Sequence, residues 1–142
     1  MDESIHKLIP HREPFLFVDQ IIEQGDDWIL ASKKIEAENA FFKGHFPGKP
    51  IMPGVLICEA IFQTGALLMR AISDAPENFI PIVTRINNVK LKRAVRPGDV
   101  LQMHAQLTDR AGSAWYLKGK ASVAGKTVLT LDFSAMLVED AE

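Results

Sequence analysis

The 142-residue sequence has the length of one domain, and we assign residues 1–142 to a single unit. Apolar residues make up 47% and charged residues 24%, which excludes a disordered or fibrous protein, and the net charge of -2 argues against nucleic acid as the main partner. A single cysteine, Cys58, excludes an internal disulfide, and the N-terminal residues lack the pattern of a secretory signal. These features predict a cytoplasmic protein.

The first third of the chain predicts short elements. Residues 4–9 suit a turn of helix that a proline ends, because the residue before proline is disfavoured in helical conformation. β-rich runs at 15–22 and 28–35 flank a turn-forming Gly-Asp-Asp at 25–27 and predict a hairpin. Residues 40–54 contain three prolines and three glycines, which predict a shaped loop without regular structure.

One long helix and four strands are predicted after this loop. Residues 54–72 are apolar on nearly every face, as in a helix surrounded by protein, and their longest strongly apolar stretch, 55–69, is too polar and too short to predict a membrane span. The strands are predicted at 80–91, 100–109, 115–123 and 127–138. One buried helix among about six strands predicts an α+β fold in which an antiparallel sheet wraps around the helix.

The start of the long helix has the features of an anion-stabilising site. Pro53 suits the first helical position, since its missing N–H would have no partner there. The next N–H groups, of Gly54, Val55 and Leu56, are then expected to lack intrahelical partners and to carry the positive end of the helix dipole. Gly54 has no side chain to block a ligand, so a carbonyl oxygen that gains negative charge could be stabilised here.

Three side chains around this helix start are candidates for acid–base chemistry. His45 lies on the preceding loop, and imidazole is the usual group for taking a proton near neutral pH. Glu59 lies in the second turn among apolar residues, where desolvation favours the protonated form that a general acid needs. Gln63 lies four residues further on the same helix face and could orient Glu59. A base, an acid and an oxyanion donor together match elimination next to a carbonyl.

Simpler interpretations account for each residue taken alone. His45 could be a structural loop histidine, and Glu59 could be the buried partner of an arginine. Cys58 is interpreted as core filler. A metal site is not expected, because His45 and Glu59 lack a third ligand at metal-binding spacing.

As a continuous string, the segment resembles the signature of the FabZ-type 3-hydroxyacyl-[acyl-carrier-protein] dehydratases. The pattern G-H-F-P-G-x-P-I-M-P-G-V-L-x-x-E-A-x-x-Q stands at residues 44–63. A motif resembling L-P-H-R-x-P-F-L-x-V-D stands at 9–19, with isoleucine in its first position, and V-x-P-G-D stands at 95–99. These blocks occur in order along most of the chain.

The resemblance implies a hot-dog fold with 54–72 as its central helix, and a lyase that converts (3R)-3-hydroxyacyl-ACP to trans-2-enoyl-ACP without a cofactor. The resemblance also implies that His45 is the base and that Glu59 of the partner subunit is the acid. It implies that the Gly54 N–H donates to the thioester carbonyl. Homodimers with shared sites, also assembled as trimers of dimers, are implied. The substrate-binding residues implied are those that follow these groups in the motif: Val55, Gln63, Phe62 and Phe46. His11 is interpreted as a structural hydrogen-bonding residue of the first motif.

Two departures from the family pattern concern the acyl tunnel. Glutamate at position 59 resembles the FabZ type more than the isomerising FabA type, which favours dehydration alone. Phe62 stands where a small residue is usual, and Asn87 where aspartate is common. We hypothesise that both reshape the tunnel, so that fatty-acid synthesis and a specialised acyl or polyketide pathway both remain open.

The docking of acyl carrier protein is predicted at a local basic cluster. The residues that supply its charge are Lys90, Lys92, Arg93 and Arg96. Electrostatic attraction to an acidic partner and ordinary solvated strand charges explain the cluster equally well.

Two further interpretations of the whole chain stay open at this point. One is a hot-dog thioesterase, and the other is a non-catalytic subunit that binds an acyl chain or its carrier.

Overall fold

The computed structural model describes residues 3–140. Its elements in chain order are two α-helices and six strands, with one turn of 3-10 helix at Ala40–Lys43. The bounds are α1 (Glu3–Leu8), β1 (Gln20–Gln24), β2 (Trp28–Lys34), α2 (Gly54–Ile72), β3 (Phe79–Leu91), β4 (Val100–Ala111), β5 (Ala114–Val123) and β6 (Lys126–Glu139).

All six strands form one antiparallel sheet in the order β1-β2-β4-β5-β6-β3. The sheet curves around α2, which contacts β2, β3, β4, β5 and β6. This arrangement confirms the predicted α+β hot-dog fold. β3 is the first strand after the helix, yet it pairs with β6 and therefore lies at one edge of the sheet.

The central helix is buried because its sequence is apolar on nearly every side. By length and composition α2 could cross a bilayer, but 67% of its apolar 18-residue window is buried inside the fold. Two glycines bring it close to the sheet: a Cβ at Gly65 would lie 2.6 Å from the Phe133 ring, and one at Gly119 only 2.2 Å from Ile61. Cys58 is buried in this core, as predicted.

Three local predictions require correction. The sequence places the first strand at 15–22, but β1 runs from Gln20 to Gln24, and the buried residues 16–18 lie outside the strands and have no regular secondary structure. The loop at 40–54 contains the 3-10 turn Ala40–Lys43. Pro53 is not the first helical residue: its ψ of 134° is extended, so it caps the helix that begins at Gly54. The predicted hairpin is confirmed, although its first strand, β1, is shorter than predicted. The second hairpin strand and the later strands are confirmed to within two residues at each end.

Candidate active site

A cavity of about 350 Å³ lies between α2, β3 and β6. Its walls are mostly apolar and come from three elements: Phe62, Ala66 and Met69 of α2, Pro81, Ile82, Val83 and Ile86 of β3, and Phe133 and Ala135 of β6. The titratable groups in its lining are His11 and Glu59. An apolar pocket with a few polar groups is the usual form of a small-molecule site, so this cavity is the candidate binding site.

Gln63 connects the long helix to the segment that precedes β1. Its Oε1 accepts the Phe17 N–H at 2.7 Å, and its Nε2 donates to the Phe15 carbonyl oxygen at 2.9 Å. These partners fix which end of the amide is oxygen, because a backbone N–H can only donate and a carbonyl can only accept. The same Nε2 donates to Oε2 of Glu59 at 2.9 Å. Gln63 is fully buried, so the predicted orienting contact is present and rigidly held.

Burial raises the pKa of the Glu59 carboxyl above its usual range, and the hydrogen bond from Gln63 opposes this rise only partly. The carboxyl is partly buried, with 22% of its side chain exposed. His11 Nε2 lies 3.6 Å from the same Oε2 atom, and burial together with the nearby Arg12 charge lowers the pKa of this imidazole. Both shifts favour the neutral forms of the two groups and so weaken any ion pair between them.

His45 is held by a tight turn in the loop before α2. The Lys49 N–H donates to the Phe46 carbonyl at 2.9 Å, with Pro47 and Gly48 as the central residues and Gly48 at φ 77°. This is a type II turn, which favours proline in its first central position and glycine in its second. His45 Nδ1 lies 2.7 Å from the Ile51 carbonyl oxygen and must therefore donate to it. In a neutral ring, this leaves the lone pair on Nε2, the atom a general base would use.

The amino end of α2 carries free backbone donors. Among residues 3–140 the N–H groups of Gly54 and Val55 have no hydrogen-bond partner, as predicted. The expectation for Leu56 was wrong, because its N–H donates to the Pro53 carbonyl at 2.9 Å. A Cβ added at Gly54 would meet only Leu91, at 3.4 Å, so the fold itself does not require glycine there.

The structure brings only some of the predicted residues together. Glu59 and Phe62 line the cavity, and Gln63 holds Glu59. His45 is outside the lining of this cavity, and its side chain contacts Ile51 and the Phe46 ring, whose centroid is 4.0 Å away. Within the described chain, then, the candidate base and acid are not in contact.

The remaining predicted residues lie on the surface. Phe46 and Val55 are 48% and 75% exposed. The basic cluster, Lys90, Lys92, Arg93 and Arg96, is exposed where β3 ends and in the loop after it. Asn87 is exposed on β3 and is not part of the cavity lining. Of the two departures from the family pattern, only Phe62 therefore faces the cavity, with its ring centroid 5.1 Å from that of Phe133.

The sequence did not predict that His11 lines the cavity. His11 is interpreted there as a structural hydrogen-bonding residue, yet it lines the cavity beside Glu59. The signal was its place in the first motif, which also supplies the Phe15 and Phe17 backbone groups that bind Gln63. Among residues 3–140 there is no cluster of three or more His, Cys, Asp or Glu side chains that could hold a metal ion.

Comparison with known proteins identifies relatives of this arrangement. Residues 9–132 match the model of the FabA-like domain. The chain is 44% identical over 143 residues to the 3-hydroxyacyl-[acyl-carrier-protein] dehydratase FabZ of Anaeromyxobacter sp. (strain Fw109-5), covering 96% of this chain and 89% of the relative.

Solved structures share the fold at much lower identity. The dehydratase heterocomplex ApeI:P from Xenorhabdus doucetiae superposes with a TM-score of 0.77 at 16% identity, covering 97% of this chain and 93% of the other. A hypothetical thioesterase protein with coenzyme A from Streptococcus pneumoniae TIGR4 superposes with a TM-score of 0.66 at 11% identity, covering 96% of each chain. At such identities these two likenesses concern the fold alone.

Proposed function

The chain belongs to the FabA-like family and, within it, to the FabZ-type 3-hydroxyacyl-[acyl-carrier-protein] dehydratases, and from this premise we propose that it converts (3R)-3-hydroxyacyl-ACP to trans-2-enoyl-ACP. The observation that carries the proposal is Glu59, a carboxyl whose pKa is raised by burial and which lines an apolar cavity. A carboxyl whose protonated form is favoured by burial is suited to donating its proton to a departing hydroxyl.

The proposed reaction moves two protons and one hydroxyl group. His45 removes the proton from the α-carbon, and that electron pair forms the new double bond to the β-carbon. The β-carbon–oxygen bond breaks, and Glu59 protonates the departing oxygen to give water. No electrons enter or leave the substrate, so the proposal includes no cofactor.

The tautomer of His45 supports its role as the base. Its Nδ1–H is engaged by the Ile51 carbonyl, so Nε2 is the nitrogen available to accept a proton. The free N–H groups of Gly54 and Val55 support stabilisation of the enolate oxygen, because that charge develops on the thioester carbonyl during proton removal. The exposed Phe46 and Val55 flank these groups and are proposed to contact the substrate's thioester arm.

The acyl chain is proposed to occupy the cavity between α2, β3 and β6. Phe62 and Phe133 form part of its wall, and a buried apolar surface suits a hydrocarbon. We propose that Phe62 limits the depth available to the chain. The acyl chain lengths that fit in this cavity would distinguish a role in general fatty-acid synthesis from one in a specialised acyl pathway.

A homodimer would complete the site. β3 is a 13-residue edge strand whose apolar side chains remain exposed, including Ile82, Ile86 and Leu91 at 43%, 49% and 56%. Long apolar edge strands are usually paired or covered. Two of these residues also line the cavity, so pairing of β3 with a second copy would cover the cavity wall. We propose that this pairing brings His45 of one subunit to Glu59 of the other, and that three such dimers form a hexamer.

Acyl carrier protein is proposed to dock at the exposed cluster of Lys90, Lys92, Arg93 and Arg96. The cluster is close to the amino end of α2: Leu91 lies next to Gly54, and the Met52 N–H donates to the Val95 carbonyl at 2.8 Å. A positive surface beside the proposed thioester site would attract an acidic carrier and orient its substrate arm. Such a reaction on a carrier-bound substrate is proposed to take place in the cytoplasm.

The test incubates the purified protein with a series of 3-hydroxyacyl-ACP substrates and measures enoyl-ACP and free thiol separately. We expect enoyl formation without thiol release, lost in His45→Ala. Thiol release without enoyl product would instead identify a thioesterase. A protein that binds the substrates but forms neither product would be a non-catalytic subunit.

A further inference from the structure

We propose that His11 is a positioning residue for Glu59, whose Nε2–H faces Oε2 and, together with Gln63, keeps the acidic proton on Oε1. The proposal rests on the proposed role of Glu59 as the general acid. The two carboxyl oxygens then differ in function, because Oε2 is held by protein donors while Oε1 delivers the proton to the substrate.

The geometry around the two oxygens is unequal. Oε2 accepts the Gln63 N–H at 2.9 Å and lies 3.6 Å from His11 Nε2. Among the described residues Oε1 has no hydrogen-bond partner, and it is not one of the buried unpaired atoms of residues 3–140, so it stays accessible from the cavity. When the carboxyl is protonated, the oxygen that accepts an N–H is the carbonyl-type oxygen, and the proton then resides on the other oxygen.

The separation of 3.6 Å is longer than a hydrogen bond in the resting site. Glu59 becomes a carboxylate when it gives up its proton, and donors near a developing negative charge shorten their contacts as it forms. A shift of a few tenths of an ångström would bring the imidazole N–H within bonding distance. His11 would then stabilise the form of Glu59 that appears only after proton transfer, which makes Glu59 a stronger acid.

A proton relay through His11 is disfavoured by its other nitrogen. Within residues 3–140 Nδ1 is buried and without a hydrogen-bond partner. A relay needs one nitrogen to take a proton from solvent while the other passes a proton on, and the sealed Nδ1 cannot do the first. The imidazole is therefore a fixed donor.

Few other charges act on this pair. Arg12 follows His11 and lowers the pKa of its imidazole, while its guanidinium donates to the backbone carbonyls of His6, Ile9 and His11. Cys58, next to Glu59, has a raised pKa and is neutral. The parts of β3 and β6 that face Glu59 across the cavity contribute apolar side chains to its lining. His11 is thus the titratable group whose removal should change Glu59 most directly.

The experiment titrates Glu59 by NMR of 13C-labelled glutamate in the full-length protein, with Glu59→Gln identifying the signal. In His11→Leu we expect the pKa of Glu59 to rise by about one pH unit and kcat to fall about tenfold, because a donor to the carboxylate has been removed. His11→Gln, which can supply an amide N–H, should partly restore both the wild-type pKa of Glu59 and the wild-type kcat. His6→Leu removes an exposed histidine of α1 and should leave the titration unchanged.

A second measurement uses the wild-type protein and does not depend on how the variants fold. The 15N shifts of the His11 ring should identify the tautomer with the proton on Nε2. A ring protonated on Nδ1, or an unchanged Glu59 titration in folded His11→Leu, would overturn the proposal. The Glu59 titration and the His11 15N shifts need no substrate, so their results do not depend on whether the enzyme is a dehydratase.

Discussion

The two halves of α2 have the same apolar character but different surroundings. The half from Gly54 to Gln63 begins with free N–H groups, has Val55 at 75% exposure and includes the partly buried Glu59. The half from Thr64 to Ile72 is buried without interruption from Thr64 to Met69. Its one internal polar group there, the Thr64 hydroxyl, donates to the Ala60 carbonyl of the same helix.

The difference teaches that one helix can separate chemistry from stability along its length. Among residues 3–140 the Gly54 and Val55 N–H groups and Glu59 Oε1 have no hydrogen-bond partner, so these groups near the amino end remain available to a substrate. In the second half the Thr64 hydroxyl is satisfied within the helix and Leu67 and Leu68 only pack, while Ala66 and Met69 line the cavity. Substitutions of Glu59 and Gln63 in the first half should therefore change turnover, and those of the fully buried Leu67 and Leu68, which do not line the cavity, should change the free energy of unfolding.

The largest effect is expected for Glu59→Gln. This change keeps the size of the side chain and an oxygen that can accept the Gln63 N–H, but it removes the acidic proton. A positioned general acid typically contributes 10²–10⁴-fold, so we expect kcat to fall by roughly that factor. Steady-state kinetics together with thermal unfolding test this. A variant that kept most of its activity would show that Glu59 is not the acid.

Leu67→Ala should show the opposite behaviour. Leu67 is fully buried in the second half and does not line the cavity. Removing a buried leucine side chain costs about 2–5 kcal/mol in the free energy of unfolding. Urea unfolding should register this loss, while kcat measured well below the melting temperature should stay close to that of the wild type. A large fall in kcat of the folded variant would contradict the division between the two halves.

Gln63→Met tests the boundary between the halves, and both properties should change. The buried Phe17 N–H would lose its partner, at about 1–3 kcal/mol, and the part-buried Phe15 carbonyl would lose its own at a smaller cost. Glu59 would also lose its donor, so we expect kcat to fall about tenfold. Thr64→Val is the matched control, since its hydroxyl bonds only within the helix, and it should change kcat little. Equal effects of both variants on kcat would refute the positioning role of Gln63.

A smaller effect is expected in the pH dependence of stability. The pKa of Glu59 is raised in the folded protein, so the folded state holds this proton more tightly than the unfolded state. Its contribution to stability is therefore favourable at low pH and is lost as pH rises through the folded pKa. Glu59→Gln lacks this titrating group. The melting temperature of the variant should therefore rise relative to that of the wild type as the pH increases above the usual pKa range of carboxyl groups. A constant difference across pH would show that Glu59 titrates normally.

The fold and the candidate residues were largely predictable from the sequence, because the signals are local. The apolar helix with Glu59 and Gln63 four residues apart predicts their contact, and the glycine and proline of 47–48 predict the turn beside His45. The segment before β1 is wrongly predicted as a strand, because apolar residues at 15–18 give the same sequence pattern whether their backbone groups bond to a neighbouring strand or to a side chain. Its partner is the Gln63 amide, 46 residues away at Phe17.

The role of His11 was underestimated for a similar reason. A histidine beside a proline has no periodic pattern, and only the tertiary approach of the loop to α2 brings it to Glu59. The separation of His45 from the cavity follows only from the family resemblance, which assigns the base and the acid to different subunits, because motif spacing alone does not specify which subunit supplies which group.

The central claim is that each site combines His45 of one subunit with Glu59 of another. The most direct test mixes His45→Ala with Glu59→Gln under conditions that exchange subunits, and measures enoyl-ACP formation after mass spectrometry has confirmed mixed dimers. Random exchange makes half of the dimers mixed, each with one intact site, so activity should recover to about a quarter of the wild-type value. Mixed dimers that remain as inactive as their parents would contradict the shared site.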